Sequence, residues 1–363
     1  MTKDHSPNNQ ASDAGDEMAP EVRERVDRLM RDLHEAPAIA CPITFNWHGN
    51  QELADRASIK IRMYGLMMRE DWPSMSFGAL KAITFHHDYQ QALKDAVGAE
   101  GSAPAPTKEA GGFSVGMMVR VPEGVHLVMH ESVALALASG VQEQNDWGQH
   151  IVRHELCHVA DFAFKRDLIA KCPDKCTYSG FESFMAPLAE ALWDEFYANT
   201  YSSGPWSDPR AFLNLLRDAV PAIRAEIVDS ILDYRSSADL DGLLAIAAPK
   251  VKFITQCFGY AAGTLASLGV SLEQEAPEEH EMLQRLGLLD AWDECFKTLG
   301  ELDRAHPNWE SVLDLSKLFP GCVMLFAGFG LHYRPQGQGA YVDIPSTPET
   351  SLAQAMLRRL GAS

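Results

Sequence analysis

Basic residues are scarce in this chain: 31 Lys and Arg stand against 50 Asp and Glu, giving a formal charge of −19. That deficit excludes a general nucleic-acid or anionic-membrane surface. No basic cluster interleaved with aromatics appears, so no direct nucleic-acid partner is expected. An apolar run of the signal-peptide kind is missing from Met1 to Asp16, and residues 1–19 read as a disordered polar leader. Cysteine is odd in number, seven residues at positions 41, 157, 172, 176, 257, 295 and 322. Such a set argues against a disulfide framework and for reduced thiols in a cytoplasmic setting. Delivery into another cell as an effector is the alternative that the polar leader permits. Cys172-Pro-Asp-Lys-Cys176 offers half of a second metal site, with no matching pair nearby. One long uncharged run, Phe253 to Leu272, imitates a membrane span and carries the small-xxx-small pattern Gly259-Tyr-Ala-Ala-Gly263. Its Thr255, Gln256, Thr264, Ser267, Ser271 and three glycines predict a closely packed core helix instead. No membrane span is expected, and no internal repeat is present.

What the chain does have is His154-Glu155-Leu156-Cys157-His158. Histidines at i and i+4 share one face of a helix, so both imidazoles can converge on one ion. The glutamate beside the first histidine is placed to take a proton from an activated water. From Trp147 to Phe164 the sequence holds no Pro, and no Gly after Gly148, which is compatible with a continuous helix. Catalytic zinc sites use three protein ligands and keep a fourth position open. The run from Pro187 to Asn199 reads as a second helix and supplies Glu190, Asp194 and Glu195. Asp161, one turn after His158, is a fourth choice, although one straight helix rarely supplies three ligands to one metal.

The HExxH motif followed by Glu195-Phe-Tyr-Ala-Asn199 resembles the gluzincin branch of the zincin metallopeptidases, over about residues 80–200. The resemblance implies Zn²⁺ held by His154, His158 and Glu195, with Glu155 as general base. Asn199 stands where that family usually has an aspartate that accepts a hydrogen bond from a zinc-bound histidine. Its carbonyl oxygen can accept the same bond without adding negative charge. Asp161 is read as a supporting residue or ion-pair partner. The resemblance further implies an α+β fold, with a small zincin-like sheet and active-site helices in residues 20–204 and a mostly helical C-terminal region in 205–363. The boundary is soft, because Ser202-Ser-Gly-Pro205 also suits a turn within one domain. The function expected is a zinc endopeptidase of restricted specificity acting on a protein or peptide substrate. The alternative is a catalytically silent zinc-binding regulatory or interaction protein, which a closed four-ligand site would favour.

Along the chain, Pro20–Leu33 is an amphipathic helix with Val22, Val26, Leu29, Met30 and Leu33 on one stripe. Residues 38–78 give no clear period. Ala79–His87 predicts a strand and Tyr89–Val97 a short helix; residues 98–112 predict an exposed loop. Phe113–Val121 and Val125–His130 flank a turn and predict a hairpin. Residues 125–130 are the candidate edge strand along which an extended peptide would pair, as in zincins. Beyond Pro205, helices are expected over 211–219, 222–234, 240–248, 253–268 and 279–299. His332, Tyr333, Tyr197 and Tyr201 are candidate oxyanion donors. His86 and His87, adjacent on a strand, should point to opposite faces and so not share an ion.

Overall fold

The computed structural model describes residues 20–97, 115–173 and 176–359. Expectations for the leader and for the loop at 98–112 therefore lie outside the described residues. The chain is α+β. Its N-terminal part runs α1 (Pro20–Glu35), β1 (Ile43–Asn46), α2 (Gln51–Asp71), β2 (Leu80–His86), α3 (Tyr89–Val97), β3 (Gly116–Val121), β4 (Gly124–His130), α4 (Glu131–Ala138), α5 (Gln142–Lys171) and α6 (Phe181–Ser202). Then follow α7 (Pro209–Ser237), α8 (Leu240–Leu268), α9 (Leu272–Glu275), α10 (Pro277–Arg285) and α11 (Leu289–Ala305). A 3₁₀ turn at Val312–Leu318, α12 (Phe319–Gly328), the hairpin β5 (His332–Gln336) and β6 (Gly339–Asp343), and α13 (Leu352–Arg359) complete it.

The larger sheet has the order β1-β2-β4-β3, with β1, β2 and β4 parallel and β3 antiparallel to β4. Strand alternation sorts its two faces. Ile83, Phe85, Leu127 and Met129 enter the main core, whereas Val119 and Val128 pack with Tyr89 and Leu93 of α3 on the other side. The hairpin joins the sheet through its second strand, because β4 pairs with β2. Residues 125–130 are therefore an interior strand, not an edge; β3 forms one edge of the described sheet and β1 the other. Arg120 of β3 lies over the Phe162 ring, 5.6 Å from its centroid, so this edge runs alongside α5.

Several element boundaries differ from the sequence expectations for local reasons. The helices expected at 211–219 and 222–234 are one helix, α7, with Pro221 inside, and those expected at 240–248 and 253–268 are likewise one helix, α8, around Pro249. Proline removes one backbone hydrogen bond and kinks a helix, but well-packed neighbours carry the chain past it. The single helix expected over 279–299 is two, broken at Gly287, whose φ of +70° is left-handed. One buried cluster runs from Ile39 through α6, α7 and α8 to Ile344, crossing the turn after Ser202 without interruption. No helix among the described residues is long and apolar enough to cross a membrane.

His306 gives the core a pH dependence. Its ring packs on Phe164 (4.4 Å between centroids), Tyr197 (5.2 Å) and Trp309 (5.9 Å), and its Nε2 is buried without a partner. Burial, helped by the charge of Lys165, pushes its pKa down to about 4. The unfolded chain, with an ordinary histidine pKa of about 6.5, binds the proton first. Stability from this group is thus full above pH ~6.5 and is lost as pH falls toward 4, by about 1 kcal/mol per pH unit. Urea unfolding at pH 7.0 and 5.5 should show a smaller loss in His306→Phe than in the wild type; equal losses would contradict this assignment.

Candidate metal centre

The HExxH segment lies in the middle of α5, a 30-residue helix, and its histidines face α6. His154 Nε2 and His158 Nε2 are 3.0 Å apart. Glu195 Oε2, from α6, is 3.3 Å from the first and 3.4 Å from the second. A tetrahedral ion with bonds of about 2.0–2.1 Å places its ligand atoms roughly 3.3 Å from one another, so this triangle has the size of one face of such a tetrahedron. Glu195 Oε2 is buried and makes no well-directed hydrogen bond, although two imidazole nitrogens stand close to it. The three atoms stand at the mutual spacing of ligands around one ion, and two imidazoles with one carboxylate are a donor set that fits a divalent cation. Among the described residues these three are the group of potential ligands that clusters this tightly.

The other ligand choices are used elsewhere. Asp161 accepts from Trp193 Nε1 at 2.9 Å and pairs with Lys165 at 2.6 Å. Lys165 also pairs with Asp194, so one half-buried ammonium links α5 to α6 through both carboxylates. Glu190 is exposed. Asn199 is fully buried, but neither of its amide atoms, nor His154 Nδ1, has a hydrogen-bond partner. The bond expected between Asn199 and a ligand histidine is not formed. Cys172 and Cys176 belong to no ligand group among the described residues; the Cys176 thiol donates to the Cys172 carbonyl at 2.8 Å. His87 lies just beyond β2, where strand alternation no longer applies, and its ring stacks on that of His86 at 4.7 Å.

Electrostatics follow from burial. Burial pushes the Glu195 carboxyl up, but the two imidazoles against it outweigh that and hold it far below the usual carboxylate range. The His158 imidazole is pushed down by burial and raised by Glu195 to a net pKa of about 9. Glu155, 7% exposed, is not a ligand; burial raises its carboxyl, against the pull of His158 and His154. It sits under the start of β3, where a Cβ on Gly116 would stand 2.7 Å from Glu155 Oε1 and 2.9 Å from Cδ. With glycine there the edge strand crosses close over the carboxylate, and a Cβ would require the Glu155 side chain to shift.

Helix α8 sets the position of Glu195. A Cβ at Gly259 would stand 2.6 Å from the Leu192 carbonyl oxygen and 2.9 Å from Glu195 Cβ; at Gly263 it would stand 2.5 Å from the Phe196 carbonyl oxygen. The small-xxx-small pattern thus brings two backbones together beside Glu195, as the expected core helix requires. Gly259→Ala, which would stabilise an isolated helix by about 1 kcal/mol, should instead destabilise this protein by roughly 1–3 kcal/mol through overpacking. The urea midpoint reads the sign directly, and an increase would show that α6 and α8 do not approach this closely.

A cavity of about 400 Å³ opens beside the centre. Val115, Gly116, Met117 and Met118 form one wall, and α5 contributes His150 and Ile151 as well as the motif. The far wall comes from α7 and α8: Phe212, Leu215, Phe253, Gln256 and Tyr260. Gln256 Nε2 donates to Glu195 Oε1 at 3.3 Å, and the Tyr260 ring stacks on Phe212 at 4.9 Å, 5.9 Å from His154. The centre is completed by residues beyond 204, so the helical C-terminal region is part of its wall.

None of the expected oxyanion donors lines this cavity. Tyr333 packs on Phe184 and Phe326, Tyr201 donates to Asp303 at 2.8 Å, Tyr197 is buried against Trp193, and His332 is exposed. The residues present instead, His150, Gln256 and Tyr260, were not singled out from the sequence. His150 carried a legible signal, since it precedes His154 by the same four residues that separate His154 from His158. Gln256 and Tyr260 carried none, because only the tertiary fold brings α8 to the motif. No protein-family model, curated protein or solved structure matches this chain.

Proposed function

We propose that this protein is a zinc-dependent peptidase whose centre is formed by His154, His158 and Glu195. The observation that carries the reading is the combination of three clustered candidate ligand atoms with a buried Glu155, outside that cluster, lining the same cavity. A structural ion has no use for that carboxylate, and no fourth ligand closes the group among the described residues. When bound, zinc supplies Lewis acidity, making a water acidic near neutral pH and polarising an amide carbonyl. Glu155 takes the proton from the attacking water and returns it to the departing amine. Gln256 orients the Glu195 carboxylate through its second oxygen. The edge strand β3 holds an extended substrate by backbone pairing. Phe212, Leu215 and Phe253 receive an apolar side chain and exclude water from the reacting bond.

The reading is tested with the zinc-loaded full chain and a defined pool of peptides, scored by mass spectrometry for new termini. Cleavage at a restricted set of sites, abolished by 1,10-phenanthroline and restored by added zinc, is the expected result. A pool left intact by zinc-loaded protein would favour the silent zinc-binding alternative.

A further inference from the structure

His150 enters the cavity one helical turn ahead of His154 and is 8% exposed. It belongs to no ligand group, and its ring lies 6.1 Å from that of His154 and 5.6 Å from that of Phe212. Its Nδ1 is 3.0 Å from Ser207 Oγ, in the turn between α6 and α7. Its Nε2, on the ring edge turned away from Ser207, is buried and has no partner. The other side-chain atoms of the cavity wall left in that condition are Glu195 Oε2 and His154 Nδ1, both belonging to the ligand set.

The Ser207 hydroxyl favours one of the two ring tautomers. Its oxygen already accepts from the Gly204 N–H at 3.2 Å. Its own proton has one acceptor at hydrogen-bond distance among the contacts observed, His150 Nδ1. A hydroxyl donating to Nδ1 leaves that nitrogen without a proton and places the ring proton on Nε2. A neutral donor thus stands in the cavity wall, fixed from behind and without an acceptor within the protein. A buried donor in that state costs free energy unless a ligand completes it.

We infer that His150 is a catalytic hydrogen-bond donor, whose Nε2–H meets the substrate oxygen that gains negative charge as water adds to the scissile carbonyl, with Ser207 as its positioning residue. The inference rests on the metallopeptidase reading and adds the donor that reading lacks. Gln256 is committed to Glu195, and the Tyr260 hydroxyl also lies against that carboxylate. Nε2 is buried, so the wall must part locally to admit that oxygen, while the ring's orientation, held by Ser207, need not change.

The test is binding of methylphosphonate, a tetrahedral oxyanion, to the Co²⁺-loaded full chain, read from the visible cobalt bands alongside cobalt content. The wild type should bind it; His150→Phe should bind it about 10- to 100-fold more weakly at unchanged cobalt content. His150→Gln, which keeps an N–H donor at similar reach, should recover most of that loss. Ser207→Ala, which frees the tautomer without touching the cavity, should weaken binding about 3- to 10-fold. Equal affinity in the wild type and His150→Phe would overturn the inference and leave the metal centre standing, as would equal weakening in His150→Phe and His150→Gln. Cobalt-loaded wild type that ignores methylphosphonate would overturn it too. Failure of the wild type to take up cobalt would remove the centre, and the inference with it.

Discussion

Replacing Glu155 by glutamine will leave metal content at the wild-type level and lower peptide hydrolysis by about 10³-fold, within the range for a lost general base. The side chain is not among the three clustered candidate ligands, so an ion held by them would lose no contact. Glutamine has nearly the same shape and can occupy the space under Gly116, where even a methyl group would collide with the carboxylate. What it cannot do is accept a proton. Burial already raises the Glu155 carboxyl, which suits a group that must take a proton and give it back. The measurement pairs elemental analysis with initial rates on a peptide that the wild type cleaves. Hydrolysis within tenfold of wild type would remove Glu155 from the mechanism. Loss of the metal in this variant would show instead that the carboxylate helps to hold the ion.

The part of the site carried by local spacing was legible in the sequence. A four-residue interval on a helix fixes which side chains share a face, and α5 presents His154 and His158 as that rule requires. Glu195 was legible through its interval to Asn199, although the sequence alone left Glu190, Asp194 and Asp161 open. The structure separates them by a criterion no pattern contains, namely that Lys165 draws both aspartates to itself. The interior position of β4 was not legible, because a hairpin does not reveal which of its strands a third strand will join. Residues 38–78 hid β1 and the 21-residue α2 behind a weak period. Gly65 stands mid-helix there because Ile39 packs against it; a Cβ would come within 2.7 Å of that side chain. Pro221 and Pro249 read as helix breaks and are not, since packing between α6, α7 and α8 outweighs one lost hydrogen bond at each.

Glu195→Ala should have the largest effect on the metal. Binding energies of about 10–16 kcal/mol for structural zinc give each ligand a share of several kcal/mol, or two to four decades in affinity. The variant also leaves two imidazoles without their anionic partner and Gln256 without its acceptor. Glu190→Ala, at an exposed position on the same helix, serves as the control that should change nothing.

The decisive measurement is zinc per chain, by elemental analysis, on the wild type and Glu195→Ala purified and supplemented side by side. About one zinc in the wild type and a marked loss in the variant is the predicted result, and it would establish the ion and its third ligand together. Zinc retained in full by Glu195→Ala, or absent from the wild type after supplementation, would contradict the centre described here.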